Sequence, residues 1–351
     1  MSTIEQILDL ARWAPSGDNT QVWRFEILAP DHVAVHCYDT RDHVVYDLDG
    51  HPSQVAVGAM LETMAIAATA HGLRADAVRR SASPDTHPVF DVRFTPDASI
   101  QPSPLLAVIT TRSVQRRPLS TRPLTAPEKQ ALEAAVGPAH RVQWIEGLGG
   151  RWAAARLMFR NAKLRLTMPE AYEVHRSIID WGKTHSPDKV PDQALGVDNG
   201  TLKLMKWAMA SWQRVNTMNT LMGTWAPRLQ MDLVPGMACA AHFVIRAQSA
   251  PASIDDYVAA GRATQRFWLT LTSLGLHMQP EMTPLIFGRY VRNAVRFTRL
   301  EPLQEAARKL YGQLTSVIGN DPATAVFMGR LGAGKAPTAR SLRKPLAELM
   351  K

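Results

Sequence analysis

The chain is nearly without cysteine: Cys37 and Cys239 are the only two among 351 residues. A disulfide framework is therefore excluded, and the pattern suits a reducing compartment. Neither cysteine stands in metal-ligand spacing, and the eleven histidines include no HExxH pair, so no metal site is expected. A GxSxG nucleophile elbow and a Cys-His signature are absent as well. No uninterrupted apolar run is long enough to span a bilayer. The N-terminal MSTIEQ lacks the basic-then-apolar pattern of a secretion signal, and the expectation is a cytoplasmic protein. Asp255-Asp256 opens a helix, where negative charge is favoured without any catalytic role. His242 and His277 lie in apolar segments and read as satisfied core residues. Side chains alone advertise no chemistry, which points to a cofactor as its carrier.

What the chain has in quantity is positive charge, a formal +9 with 46% hydrophobic and 20% charged residues. That composition is globular, and the length exceeds one average domain. The basic residues concentrate in TTRSVQRRPLSTR (110–122) and RSLRKP (340–345). Neither cluster interleaves the aromatics that a single-strand binder needs, so nucleic acid is not the expected partner. Two short clusters far apart in sequence suggest one anion held from two sides; a solvated basic surface is the plainer alternative.

An internal repeat organises the rest. VGAMLETMAIAATAHGL carries Gly58 and Gly72-Leu73, and AGRATQRFWLTLTSLGL carries Gly261 and Gly275-Leu276, each with thirteen residues between the glycines. Both read as buried helices closed by a C-terminal glycine. EQILDLARWAP (5–15) likewise matches EKQALEAAVGP (128–138). The helix starts are offset by about 123 residues and the Gly-Leu helices by about 203, so the second copy holds an insertion near 156–235. The expected division is an N-terminal half (1–104), a C-terminal half (105–155 and 236–351) and a helical insertion (156–235). The pattern predicts helices at 3–13, 54–71, 126–136, 254–274 and 302–317. Strands are predicted near 22–28, 32–38, 75–79, 88–94, 105–110, 141–146 and 240–247, with an extended stretch at 277–280. The class is α+β, with mainly antiparallel sheets flanked by helices. In the insertion, Leu202, Met205, Met209 and Trp212 share a helical face, which is core, a lid over a pocket, or a contact for a membrane surface or partner.

Two loops carry signals of unequal worth. GRLGAGKA (329–336) fits a phosphate-binding P-loop except at its last position, where Ala336 replaces the Ser or Thr that holds Mg²⁺. Without a downstream sheet it reads as a flexible Gly-rich tail. APSGDNTQVW (14–23) is the better site: turn residues offering backbone amides and short polar groups directly after a helix.

Taken together, these pieces resemble the FMN-dependent nitroreductase superfamily. APSGDNTQVW resembles its Pro-Ser-x-x-Asn-x-Gln-Pro-Trp loop, with Val22 for the second proline. RSVQRRPL (112–119) resembles its Arg-Ser-x-Arg phosphate segment, Arg116 taking the second basic role one residue on. The Gly261–Leu276 helix with HMQPEM, and RSLRKPLAEL (340–349), resemble its flavin-facing strand and basic C-terminal segment. The arrangement is similar to two-half, single-chain members such as the Acg-like proteins and the nitroreductase-like proteins associated with molybdopterin biosynthesis. The resemblance implies a pseudo-dimeric chain, monomeric or homodimeric, with one complete FMN site. Arg112, Ser113, Arg116, Arg340 and Arg343 would hold the phosphate. Pro15, Ser16, Gly17 and Asn19 would line the ring and ribityl chain, and Gln279, Pro280 and Glu281 would pass the N5 edge. NAD(P)H is the implied electron donor. The implied activity is reduction of nitroaromatic, quinone-like or other conjugated small molecules. The alternative is a flavin-binding or partner-binding protein whose insertion closes the site.

Overall fold

The computed structural model describes residues 1–221 and 223–351. α1 (Thr3–Ala11) begins at a capping box in which Ser2 and Glu5 satisfy each other's backbone amides. β1 (Trp23–Ala29), β2 (His32–Cys37), α2 (His51–Thr69), β3 (Leu73–Arg79) and β4 (Val89–Pro96) follow. α3 (Ala126–Ala135) starts at the same kind of capping box, Thr125 with Glu128, 123 residues after the first. β5 (His140–Ile145) leads into α4 (Gly147–Leu166), α5 (Pro169–Ile178) and three two-residue strands, β6 (Ile179–Asp180), β7 (His185–Ser186) and β8 (Val190–Pro191). Next come α6 (Asn199–Ala208), α7 (Trp212–Leu221), α8 (Trp225–Arg228), a π turn (Leu229–Leu233) and α9 (Val234–Met237). β9 (Ala241–Ala247), α10 (Ile254–Ser273), β10 (Leu276–Pro280), α11 (Thr283–Arg292) and α12 (Glu301–Ile318) precede β11 (Ala325–Ala333), β12 (Arg340–Ser341) and α13 (Leu346–Leu349). The class is α+β.

Two four-stranded antiparallel sheets are formed, ordered β1-β2-β4-β3 and β10-β11-β9-β5. β3 alternates half-buried and exposed residues, as a sheet with one solvated face requires. β9 and β11 are buried almost throughout, because the second sheet is covered twice. Phe243, Phe327 and Leu331 meet Phe267 and Trp268 of α10 on one face, while Val244 and Met328 meet Leu157, Leu285 and Leu314 on the other. Between the sheets α2 crosses α10 at Gly58 and Gly261, the two glycines that the repeat pairs.

Three expectations are corrected. The segment near 105–110 is a 3₁₀ turn (Pro104–Val108), not a strand, because Pro104 and the Ser103 cap set helical geometry. GRLGAGKA is no flexible tail: most of it is β11, the strand between β10 and β9. Its glycines are needed for close packing, since a Cβ on Gly329 would meet the Gln279 carbonyl at 2.9 Å and the Phe243 ring at 3.0 Å. The boundary expected at 155/156 falls inside α4, a single helix continuous across it. The basic C-terminal stretch is ordered, and Leu349 enters the core of the first half beside Phe25. α11 was not foreseen.

Candidate functional site

The loop after α1 is built under backbone strain. Asp18, Asn19 and Gln21 have φ of 51°, 64° and 52°, three of the four non-glycine residues with positive φ among the described residues. Asp and Asn tolerate that region through local hydrogen bonding, but Gln21 does not ordinarily visit it. Contacts over-determine the conformation: the Gln21 amide donates to Ser16 Oγ at 2.9 Å, and Gln21 Oε1 accepts from the Lys344 amide at 2.9 Å. Strain held this way clusters at functional sites.

Three arginines from two distant segments converge on the end of α1. Arg112 donates to the Trp13 carbonyl at 2.9 Å and lies over the Trp268 ring, 4.5 Å from its centroid. Arg343 donates to the Ala14 carbonyl at 2.8 Å. Arg340 donates to the carbonyls of Thr110 and Thr111 and lies 5.5 Å over the Trp13 ring. None of the three has a carboxylate partner among the described residues; carbonyls hold all three, and indole faces also hold Arg112 and Arg340. Burial lowers the Arg112 pKa well below the usual guanidinium range, and the charges of Arg343 and Arg340 add to the effect. Arg343 is pushed down to about 9 by burial, then by Arg340 and Arg12. Mutually repelling, partly desolvated cations without a counter-ion favour an anion beside them. Ser113 follows Arg112 in the chain and is half-buried.

Arg116 is not brought into this cluster. Burial lowers its pKa to about 10, with Asp18 opposing and Arg330 assisting the shift, and it donates to the Ala194 carbonyl at 3.2 Å. Asp18, raised to about 6 by burial against the pull of Arg116 and Arg165, lies in that second neighbourhood. Glu281 is also drawn away, fully buried between two cations. It accepts from His242 Nδ1 at 2.7 Å and Arg330 Nη1 at 2.9 Å. His242 meets acceptors on both ring nitrogens, its Nε2 donating to the Gly236 carbonyl at 2.8 Å, so it is an imidazolium. Burial works against that charge, but the Glu281 carboxylate and a Cys239 contact prevail and raise its pKa to about 10. The Glu281 amide donates to the Met328 carbonyl, and Pro280 has no N–H, so neither offers a free backbone donor toward a ring edge.

The fit to a phosphorylated ligand can be tested on orphaned atoms. Asn19 Oδ1, Arg112 Nε, Gln279 Oε1 and Arg340 Nε are buried without a partner, four residues anticipated from the sequence. Such groups are costly unless something binds them. The residues present therefore fit an anionic, hydrogen-bonding group at the Arg112–Arg340–Arg343 end.

The insertion reaches the same place, through residues 184–194 rather than the helical face at 202–212 that the sequence suggested as a lid. β7 pairs in parallel with β12, so that Arg340 and Leu342 donate their amides to Thr184 and Ser186. The Lys189 carbonyl accepts from Ser341 Oγ at 2.8 Å and Asn19 Nδ2 at 3.3 Å, and the Pro187 carbonyl from Gln21 Nε2 at 2.9 Å. Residues 184–194 thus form a strap over the loop and the basic segment. Nothing in local periodicity marks such a strap, because its contacts are backbone carbonyls.

The repeat-related position is electrically different. Val136 stands where the repeat has Trp13; Arg266 donates to the neighbouring Ala135 carbonyl at 2.9 Å. Arg266 also pairs with the Glu62 carboxylate at 3.0 Å. That cation already has its counter-ion.

No family model matches the chain, and no curated protein matches it. Among solved structures, it is similar to the crystal structure of a nitroreductase-like family protein from Bacillus cereus. The identity is 13%, covering 71% of this chain and 95% of that one, with a TM-score of 0.35. A likeness at that level assigns neither ligand nor reaction.

Proposed function

We propose that this chain binds one FMN and works as an FMN-dependent NAD(P)H oxidoreductase of the nitroreductase type, acting on nitroaromatic, quinone-like or other conjugated small molecules. The supporting observation is the carboxylate-free cluster of Arg112, Arg340 and Arg343 beside a strained loop with an orphaned Asn19 oxygen. A bound flavin would supply the hydride chemistry, so no side-chain acid or base is required. The chain's own residues hold the phosphate dianion by charge-assisted hydrogen bonds, and Trp13 and Trp268 fix two of the guanidinium planes. Arg116 donates to the Ala194 carbonyl instead, so its part is to hold the strap. The pairing of Arg266 with the Glu62 carboxylate supports one site per chain rather than two.

The test is the visible spectrum of purified protein, with FMN titration by calorimetry. One FMN per chain, lost in Arg112→Met, is expected. Protein that stays colourless and takes up no heat with added FMN would overturn the reading.

A second reading, flavin binding without turnover, is favoured by the strap, which uses the Asn19 and Ser341 donors. Steady-state NAD(P)H oxidation with a nitroaromatic or quinone acceptor separates the two.

A further inference from the structure

The segment from α4 to α8 carries all three exposed tryptophans among the described residues, Trp152, Trp207 and Trp225. It also carries an uneven charge. α4 holds Arg151, Arg156, Arg160, Lys163 and Arg165 and no acidic residue, and residues 199–221 hold Lys203, Lys206 and Arg214 with none. We propose that the outer face of α4 and α6 docks on an anionic lipid surface.

The geometry of the two helices carries the proposal. On α4, Leu148, Trp152, Arg156 and Lys163 are exposed at spacings of four, four and seven, which puts them in one stripe. From Leu148 to Lys163 that stripe runs about 22 Å. Trp225 extends it, its ring 5.3 Å from that of Phe159, with the Arg228 guanidinium 3.7 Å over the Phe159 ring. On α6, Lys203, Leu204, Lys206 and Trp207 are exposed on one side, while Leu202 and Ala208 are buried on the other. Arg214 steadies Trp207 from α7, 5.0 Å above its ring. Asn219 of α7 donates to the Leu166 carbonyl at the end of α4, and α7 also packs on α6, so α7 links the two helices.

Tryptophan and leucine beside lysine and arginine are the composition of a helix lying in the headgroup region. The aromatic rings enter the interface, and the long basic side chains reach phosphate with their stems on apolar surface. A second copy of this chain would bring like charges together, because neither stripe has a carboxylate. Nucleic acid would use the rings and the charges but gives no role to exposed Leu148 and Leu204. An anionic bilayer uses all three.

The test is co-sedimentation of the full chain with vesicles of phosphatidylcholine alone or with 30% phosphatidylglycerol. Binding is expected only to the anionic vesicles and is expected to weaken with salt. Lys203→Ser or Lys206→Ser should each lower affinity about fivefold. Trp152→Asp with Trp207→Asp should abolish binding, while Val78→Asp, an exposed apolar site on β3, should not change it. Thermal melts of each variant report folding. Absence of binding to anionic vesicles overturns the proposal, as does equal binding by the double tryptophan variant. A stable dimer broken by Trp207→Asp, or an oligonucleotide bound in place of vesicles, does the same.

Discussion

Gly58 and Gly261 meet at the centre of the molecule, and each lacks the atom that would collide with the other's helix. A Cβ on Gly58 would lie 2.9 Å from the Gly261 Cα and overlap the Val258 carbonyl; a Cβ on Gly261 would lie 2.9 Å from the Gly58 Cα and overlap the Val55 carbonyl. Val55 and Val258 are offset by the same 203 residues as the glycines (258 − 55 = 261 − 58). The contact therefore has two-fold symmetry in the register of the repeat, as at a homodimer axis. Gly58→Ala and Gly261→Ala should each cost about 3 kcal/mol, the upper end for overpacking. Because both open one crossing, the double variant should cost less than the sum, read by urea denaturation.

The arginine cluster predicts a response to anions. Inorganic phosphate should raise the melting temperature of the free chain, since an ion that binds only the folded state stabilises it. Arg343→Met removes one of three repelling cations, so its own melting temperature should not fall, but the phosphate response should shrink. FMN affinity should drop about 30-fold, the equivalent of one hydrogen bond to a charged group worth about 2 kcal/mol. An unchanged phosphate response in Arg343→Met would place the anion elsewhere.

Stability should decline at alkaline pH through His242. Its folded pKa, about 10, lies above the unfolded value near 6.5, so the folded state binds the extra proton between the two. The contribution is fully present below pH 6.5 and is lost as pH rises through 10. Glu281→Gln removes the carboxylate between two buried cations and should cost about 3–5 kcal/mol at pH 7. It should also flatten the alkaline decline, measured by denaturation from pH 6 to 10.

The strap should open when its side-chain donors go. Asn19→Ala with Ser341→Ala removes both side-chain bonds to the Lys189 carbonyl, worth roughly 1 kcal/mol each. Hydrogen exchange over 184–194 should speed about 30-fold while the α2–α10 core keeps its protection. If the strap gates the site, FMN should also associate faster.

Much of the scaffold was legible because its signals are local. The paired segments at 5–15 and 128–138, the Gly-Leu helix ends and the apolar spacing of α10 depend on neighbours within a few turns. The P-loop-like segment misled for the same reason. Its glycines look flexible in isolation, whereas Gly329 and Gly332 are small because Phe243, Gln279 and the Leu119–Ser120 backbone crowd them. Arg112, Arg340 and Arg343 were anticipated, yet Arg116, only four residues from Arg112, turns to Asp18 and Ala194 instead.

By itself the sequence determined the α+β class, the repeat, the turn-rich loop and the basic segments, since each rests on residue type and short-range spacing. Tertiary structure decided which arginines meet, that Glu281 faces His242 and Arg330 rather than a ligand, and that residues 184–194 close over the loop. Those contacts join residues 39 or more positions apart or use carbonyls that every residue possesses. Their partners are fixed only when the two sheets and the insertion pack together.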